Sequence, residues 1–194
     1  MQLSDYFKHY NTDLSNCIQT AVATDANEKS LDVFDAFASI ISHFRQAHEQ
    51  GGKIVFLGNG GSAAIASHQA YDYWKNGKLR AVCFNDAAHL TGSSNDFGHA
   101  DIFSRPLEMF TTDKDVIVAI SSSGRSPNIV NAAREGQRIG CHVVTLSAFG
   151  ADNPLRSSGD INIYLNTSIY GHAEIGHLTI LHTLLDHTIY GETA

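Results

Sequence analysis

Residues 53–62, KIVFLGNGGS, constrain this chain most. A short apolar run at 54–57 breaks into Gly58, Asn59, Gly60 and Gly61, then Ser62 and the helix-favouring Ala63 and Ala64. The pattern predicts a buried strand, a tight turn and a helix N-terminus. A helix start presents unpaired backbone N–H groups and the positive end of the peptide dipole, which together suit an anion. Glycines in the turn let backbone approach a ligand with no side chain in the way.

The rest of the chain repeats that theme. Further apolar runs stand at 80–84, 115–120, 142–146 and 161–165. Helical segments are expected between and after them, at 63–76, 86–94, 102–110, 127–138, 151–157 and 171–190. Pro127 suits a first helical turn, and Gly140 a helix end. Apolar strands alternating with helices predict a parallel sheet covered on both faces. The expected fold is α/β: a flavodoxin-like, doubly wound, five-stranded parallel sheet flanked by helices. Two amphipathic helices precede it, at 3–23 and 28–49, the second stopped by Gln50-Gly51-Gly52. The division expected is one domain over 1–194, with N-terminal helices at 1–50 and an α/β core at 53–194. In such sheets ligands bind beyond the carboxyl ends of the strands, where strand order reverses.

Composition removes several function classes. A net charge of −7 with no basic cluster argues against nucleic acid. No apolar run approaches the roughly 20 residues that span a bilayer, so no membrane is expected. The first residues lack the basic-then-apolar pattern of a secretory signal. Cys17, Cys83 and Cys141 are odd in number and widely spaced, which fits free thiols in a reducing cytoplasm.

A second glycine-serine loop decides what the first one holds. Residues 121–126, SSSGRS, follow the strand at 115–120 and precede the proline-started helix. Gly58, Gly60 and Ala63 also satisfy the dinucleotide fingerprint, with Asp86 placed roughly where a ribose-binding acid belongs. Alone that pattern is weak. Two loops dense in small hydroxyl donors are what a single phosphate group needs. Ser62 from one and Ser121, Ser122, Ser123 and Ser126 from the other can surround it, with backbone N–H groups adding to the charge balance.

The eleven histidines single out no site by themselves. His172, His177, His182 and His187 recur every fifth residue, as do His43 and His48. Five residues turn a helix by about 140°, so the spacing makes no single metal-binding stripe.

GNGGSAA (58–64), SNDFGHADIFSR (94–105) and AISSSGRSPNIV (119–130), in this order and spacing, resemble sugar isomerase (SIS) domains, and among them the phosphoheptose isomerases. That resemblance implies conversion of sedoheptulose 7-phosphate to a D-glycero-D-manno-heptose 7-phosphate through an enediolate, as in heptose synthesis for lipopolysaccharide or capsule. It also implies a homotetramer with active sites at subunit interfaces and a zinc ion in each subunit. Carried over residue by residue, it makes Asn59, Gly60, Gly61, Ser62, Asn95, Asp96, Ser121, Ser122, Ser123, Ser126 and Glu174 the substrate-binding set. Asp72 and His182 become the catalytic pair. His68, Asp72, Glu174 and His182 become the metal ligands, with His177 matching a further histidine.

The chain departs from the family at four places, two of them in these sets. Asp72 stands for a glutamate, Glu174 for a glutamine, Asn76 for an arginine (with Lys75 beside it) and Gly171 for an aspartate. His68 and Asp72, four apart, share one helix face. Glu174 and His182, eight apart, are separated by about 12 Å along a straight helix, too far for one ion unless a second subunit or an irregular helix intervenes. The alternative function is a non-catalytic phosphosugar sensor, or a tetrameric scaffold for a protein partner.

Overall fold

The computed structural model describes residues 1–191. Its secondary structure runs α1 (Leu3–Gln19), β1 (Val22–Asp25), β2 (Ser30–Leu31), α2 (Val33–Glu49), β3 (Ile54–Gly58), α3 (Gly61–Lys75), β4 (Ala81–Cys83), α4 (Ala87–Phe97), α5 (Ser104–Phe110), β5 (Val116–Ser121), α6 (Pro127–Ile139), β6 (His142–Ala148), β7 (Ile161–Leu165) and α7 (Tyr170–Tyr190). Short 3-10 turns lie at His99–Asp101 and Pro154–Ser157.

The sheet order is β2-β1-β7-β6-β5-β3-β4. The five strands expected from the sequence are the parallel ones: β3 pairs with β4 and β5, β5 with β6, and β6 with β7. Counted among themselves they lie second-first-third-fourth-fifth, the doubly wound order with its reversal at β3 and β5. β1 and β2 add an antiparallel margin, β1 pairing with β7 from Val22↔Tyr164 to Asp25↔Ile161.

That margin corrects the expected N-terminal helices. The first helix stops at Gln19, and residues 22–25 are a strand. The second helix starts at Val33, where Asp32 accepts hydrogen bonds from the backbone N–H groups of Phe34 and Asp35. Between the strands Asp25 makes a turn, its Oδ1 accepting from the N–H groups of Asn27 and Lys29.

Every residue of β3, β5 and β7 is buried, Ser121 and Asn162 included, as a sheet covered on both faces requires. Alternation along the strands divides the core between the two faces. Ile54, Phe56, Val118 and Ile120 pack with Ile40 and Phe44 of α2, Tyr73 of α3 and Leu181 of α7. Val55, Leu57, Ile117 and Ala119 pack with Leu107 of α5 and Ile129 and Ala133 of α6. Burying both faces of so many aliphatic side chains, at about 25 cal/mol per Å² of apolar surface, is the main force holding β3 and β5 in place. Among the described residues, no helix is long and apolar enough to cross a membrane.

Candidate functional site

β3 and β5 are neighbours, with Gly58 opposite Ile120. Their carboxyl ends therefore release both glycine-serine loops into one crevice. The turn after β3 depends on Gly60, whose φ of 53° lies in the region that glycine tolerates best. A Cβ on Gly58 would run into the Ser62 backbone, so the chain can fold back this tightly only without one. Across the crevice, Asn59 and Asn128 exchange two hydrogen bonds of 2.9 Å, which latch the loop after β3 to the first turn of α6. The sequence reading missed Asn128. Its signal was an amide at the start of an amphipathic helix, and the structure buries it completely.

The crevice has a volume of about 240 Å³. Asn59, Gly60, Gly61, Ser62, Ser121, Ser122, Ser123, Ser126 and Glu174 all line it, joined by Ile120 and Tyr170, which the sequence did not single out. No side chain caps α3 or α6 at its N-terminus, so the leading N–H groups have no side-chain acceptor there. Ser121 Oγ lies 3.3 Å from Ser126 Oγ and accepts from the N–H of Gly124, while Ser123 Oγ accepts from the N–H of Arg125. These bonds hold the loop in a bowl of hydroxyls. Such a bowl, set on two helix N-termini, can take a phosphate group.

Asn95 lies in a neighbouring cavity of about 540 Å³, which shares Asn59 and Gly60 with the crevice and adds Thr91, Ser94 and His99. Asp96 lines neither cavity; its Oδ1 accepts from Asn95 Nδ2 at 2.9 Å. Asp86, the dinucleotide alternative's ribose acid, caps α4 by accepting from the N–H groups of Ala88 and His89. That role accounts for the residue without a nucleotide.

Farther along α3 stand His68 and Asp72, with His182 of α7 facing them. His68 Nε2 lies 3.2 Å from His182 Nε2 and 3.3 Å from Asp72 Oδ2. One donor atom from each of the three lies within 4.8 Å of the others. Asn76 Nδ2 donates to the other carboxylate oxygen, Asp72 Oδ1, at 3.3 Å. The two helices are fastened below by the Tyr73 hydroxyl, which donates to the Leu181 carbonyl at 3.0 Å. Burial, and then the charge of Asp186, push the Tyr73 phenol far above its usual range, so it remains a donor.

Within one chain Glu174 stands apart from this group, so only three of the four expected ligands come together there. Its carboxylate lies against Gly61 at the crevice, where a Cβ on residue 61 would overlap it. The physical reason is the straight helix: α7 runs unbroken from Tyr170 to Tyr190. His177 lies between Glu174 and His182 in sequence but faces the core. It is fully buried, with Nε2 3.2 Å from the Ser147 carbonyl, and burial lowers its pKa to about 4. At Gly171 the Tyr10 hydroxyl of α1 occupies the space a Cβ would take.

Comparisons with known proteins follow the same lines. Residues 10–148 match the SIS domain family. The phosphoheptose isomerase of Cytophaga hutchinsonii is 32% identical over 180 residues, covering 89% of this chain and 87% of that protein. That of Leptospira biflexa is 36% identical over 141 residues, 69% of this chain and 72% of the relative. Among solved structures, phosphoheptose isomerase GmhA from Neisseria gonorrhoeae superposes with a TM-score of 0.80 at 24% identity, covering 95% of this chain and 98% of that one. A phosphoheptose isomerase from Francisella tularensis gives 0.81 at 22%, covering 97% and 99%. At these identities the two structures speak for the fold.

Proposed function

This chain belongs to the SIS domain family, and we propose that within it the protein is a phosphosugar isomerase that converts sedoheptulose 7-phosphate to D-glycero-D-manno-heptose 7-phosphate. One observation carries the reading. α3 begins in an anion cradle at Ser62 and carries His68 and Asp72 about two turns later, with His182 closing the group. Ser62 and His68 are separated by about 9 Å along the helix axis. That separation favours a substrate with several carbons between its phosphate and its reacting end. The names of the sequence relatives support a heptose in particular.

In the proposed reaction the phosphate lies in the serine crevice and the carbonyl end lies by the triad. Asp72 takes a proton from C1 of the ketose. The C–H electrons form the C1–C2 double bond, and the carbonyl pair moves to O2, which His182 protonates. The enediol then loses its O1 proton to His182, C1 becomes the carbonyl, and Asp72 returns its proton to C2. One residue thus serves the carbons and one the oxygens. Asp72 has Oδ2 toward His68 and Oδ1 toward Asn76, so Asn76 can hold the carboxylate in one orientation.

A zinc ion belongs to the same proposal. Donor separations of 3.2 and 3.3 Å are close to the edge of a tetrahedron with bonds of about 2.0–2.1 Å. Three protein donors, His68, Asp72 and His182, would hold the ion and would leave a fourth position for a sugar oxygen, as catalytic zinc sites do. When bound, the ion supplies positive charge where the sugar oxygens become negative. A homotetramer is proposed as well. Leu3 and Phe7 on α1 are exposed, as are Tyr71 and Trp74 on α3 beside the triad, and such large apolar groups suit a subunit interface. The three unpaired cysteines fit a cytoplasmic location. The test is turnover of sedoheptulose 7-phosphate by the wild type, Asp72→Asn and His182→Ala. Each variant should lose most of its activity, and full activity in both would overturn the assignment.

A further inference from the structure

The crevice combines an anion cradle with an anion. Hydroxyls and helix N-termini surround it, and no Lys, Arg or His is among the described residues that line it. Among those described residues the only charged side chain is Glu174. That carboxylate comes from the second turn of α7, is half-buried, and presses against Gly61, the first residue of α3. Among the described residues it forms no hydrogen bond or ion pair, while Arg125, in the loop beside the crevice, pairs with Asp152 at 2.7 Å.

We propose that Glu174 is a specificity-determining residue, a charge filter that admits phosphate monoesters carrying a polyhydroxylated chain and disfavours phosphate monoesters without one. The proposal rests on the reading of the crevice as the phosphate end of a sugar-phosphate site. A carboxylate beside a phosphate dianion repels it, and repels every such dianion alike. An ionised carboxylate only accepts hydrogen bonds. The repulsion is therefore offset when the ligand brings hydroxyl protons to Glu174, in charge-assisted bonds stronger than neutral ones. A simple phosphate ester dianion has no proton to give. Discrimination thus comes from an unfavourable element that only the right ligand compensates. Gly61 is part of the device, because any side chain there would displace the carboxylate.

Calorimetric titration of the full chain above pH 7 at low ionic strength tests this, using methyl phosphate and sedoheptulose 7-phosphate. Glu174→Gln keeps the size and removes the charge, and Glu174→Ala removes both. In each variant methyl phosphate should bind at least about ten-fold tighter than to the wild type, a change of about 1.4 kcal/mol. The preference for the heptose phosphate over methyl phosphate should shrink by a similar factor. Methyl phosphate affinity that is unchanged or weaker in both variants overturns the filter. Ser123→Ala separates the two levels of the argument. If it weakens both ligands while the Glu174 variants do not tighten methyl phosphate, the filter fails and the crevice stands. If Ser123→Ala also changes nothing, the phosphate reading of the crevice fails with it.

Discussion

At the residue scale, the proposed chemistry rests on His68, Asp72 and His182. Asp72→Asn keeps the side-chain size but removes the proposed proton acceptor, and His182→Ala removes the group proposed to serve the oxygens. Each should lower turnover by about 10²- to 10⁴-fold, the range of a general acid or base. Phosphosugar binding should persist, because the crevice is untouched; steady-state kinetics beside calorimetry reads both. His177 makes a separate prediction. Folded, its pKa is near 4; unfolded, it returns to about 6.5. Between those values the unfolded chain holds a proton that the folded chain lacks, so stability rises with pH there. The contribution is complete above about pH 6.5 and is lost as pH falls toward 4, by at most about 1.4 kcal/mol per pH unit. His142 is lowered to about 4 by burial, then by His43, and adds a slope of the same sign. Urea midpoints measured between pH 7 and 5 should fall, and fall less in His177→Phe. The sequence could pair His68 with Asp72 because a spacing of four fixes a shared helix face. It could not show Glu174 in the serine crevice, because which side of α7 meets which part of α3 is settled by how the two helices pack against each other on one face of the sheet.

At the element scale, the site is two loops and two helices held in register. Asn128→Ala should loosen the crevice, because it leaves Asn59 without its partner. A cost of about 1–3 kcal/mol in stability is expected, together with weaker phosphosugar binding. Thermal melting and titration check the two effects; unchanged binding would mean the latch serves stability alone. Tyr73→Phe removes the bond to the Leu181 carbonyl and should cost about 1 kcal/mol. The parallel strands were legible because β3, β5 and β7 are nearly continuous apolar runs, broken only by Ser121 and Asn162, a pattern that double burial favours. β1 was not legible. Val22, four residues after Ile18, falls in step with the three-or-four spacing of the expected helix at 3–23, and only pairing with β7 makes Val22–Asp25 a strand. β2 spans two residues, too few to show any alternation. The turn chemistry of Asp25 was the available signal.

At the scale of the whole molecule, an exposed apolar face on α3 lies next to an exposed His68. Light scattering should give four times the chain mass, and Trp74→Glu should lower the assembly state. Elemental analysis should find about one zinc per chain, lost in His68→Ala, with chelation lowering activity and re-addition restoring it. The sequence carried the family through its two serine loops and the segment at 94–105. It could not carry assembly, since the same exposed aromatic residues are read as surface until a partner covers them. Proton exchange at the reacting carbons distinguishes an isomerase from a phosphosugar binder. Sedoheptulose 7-phosphate incubated with the protein in deuterated water, followed by NMR, should gain deuterium at C1 and yield an aldose heptose 7-phosphate labelled at C2. Saturable binding with neither deuterium uptake nor aldose would contradict the account and leave a phosphosugar sensor in its place.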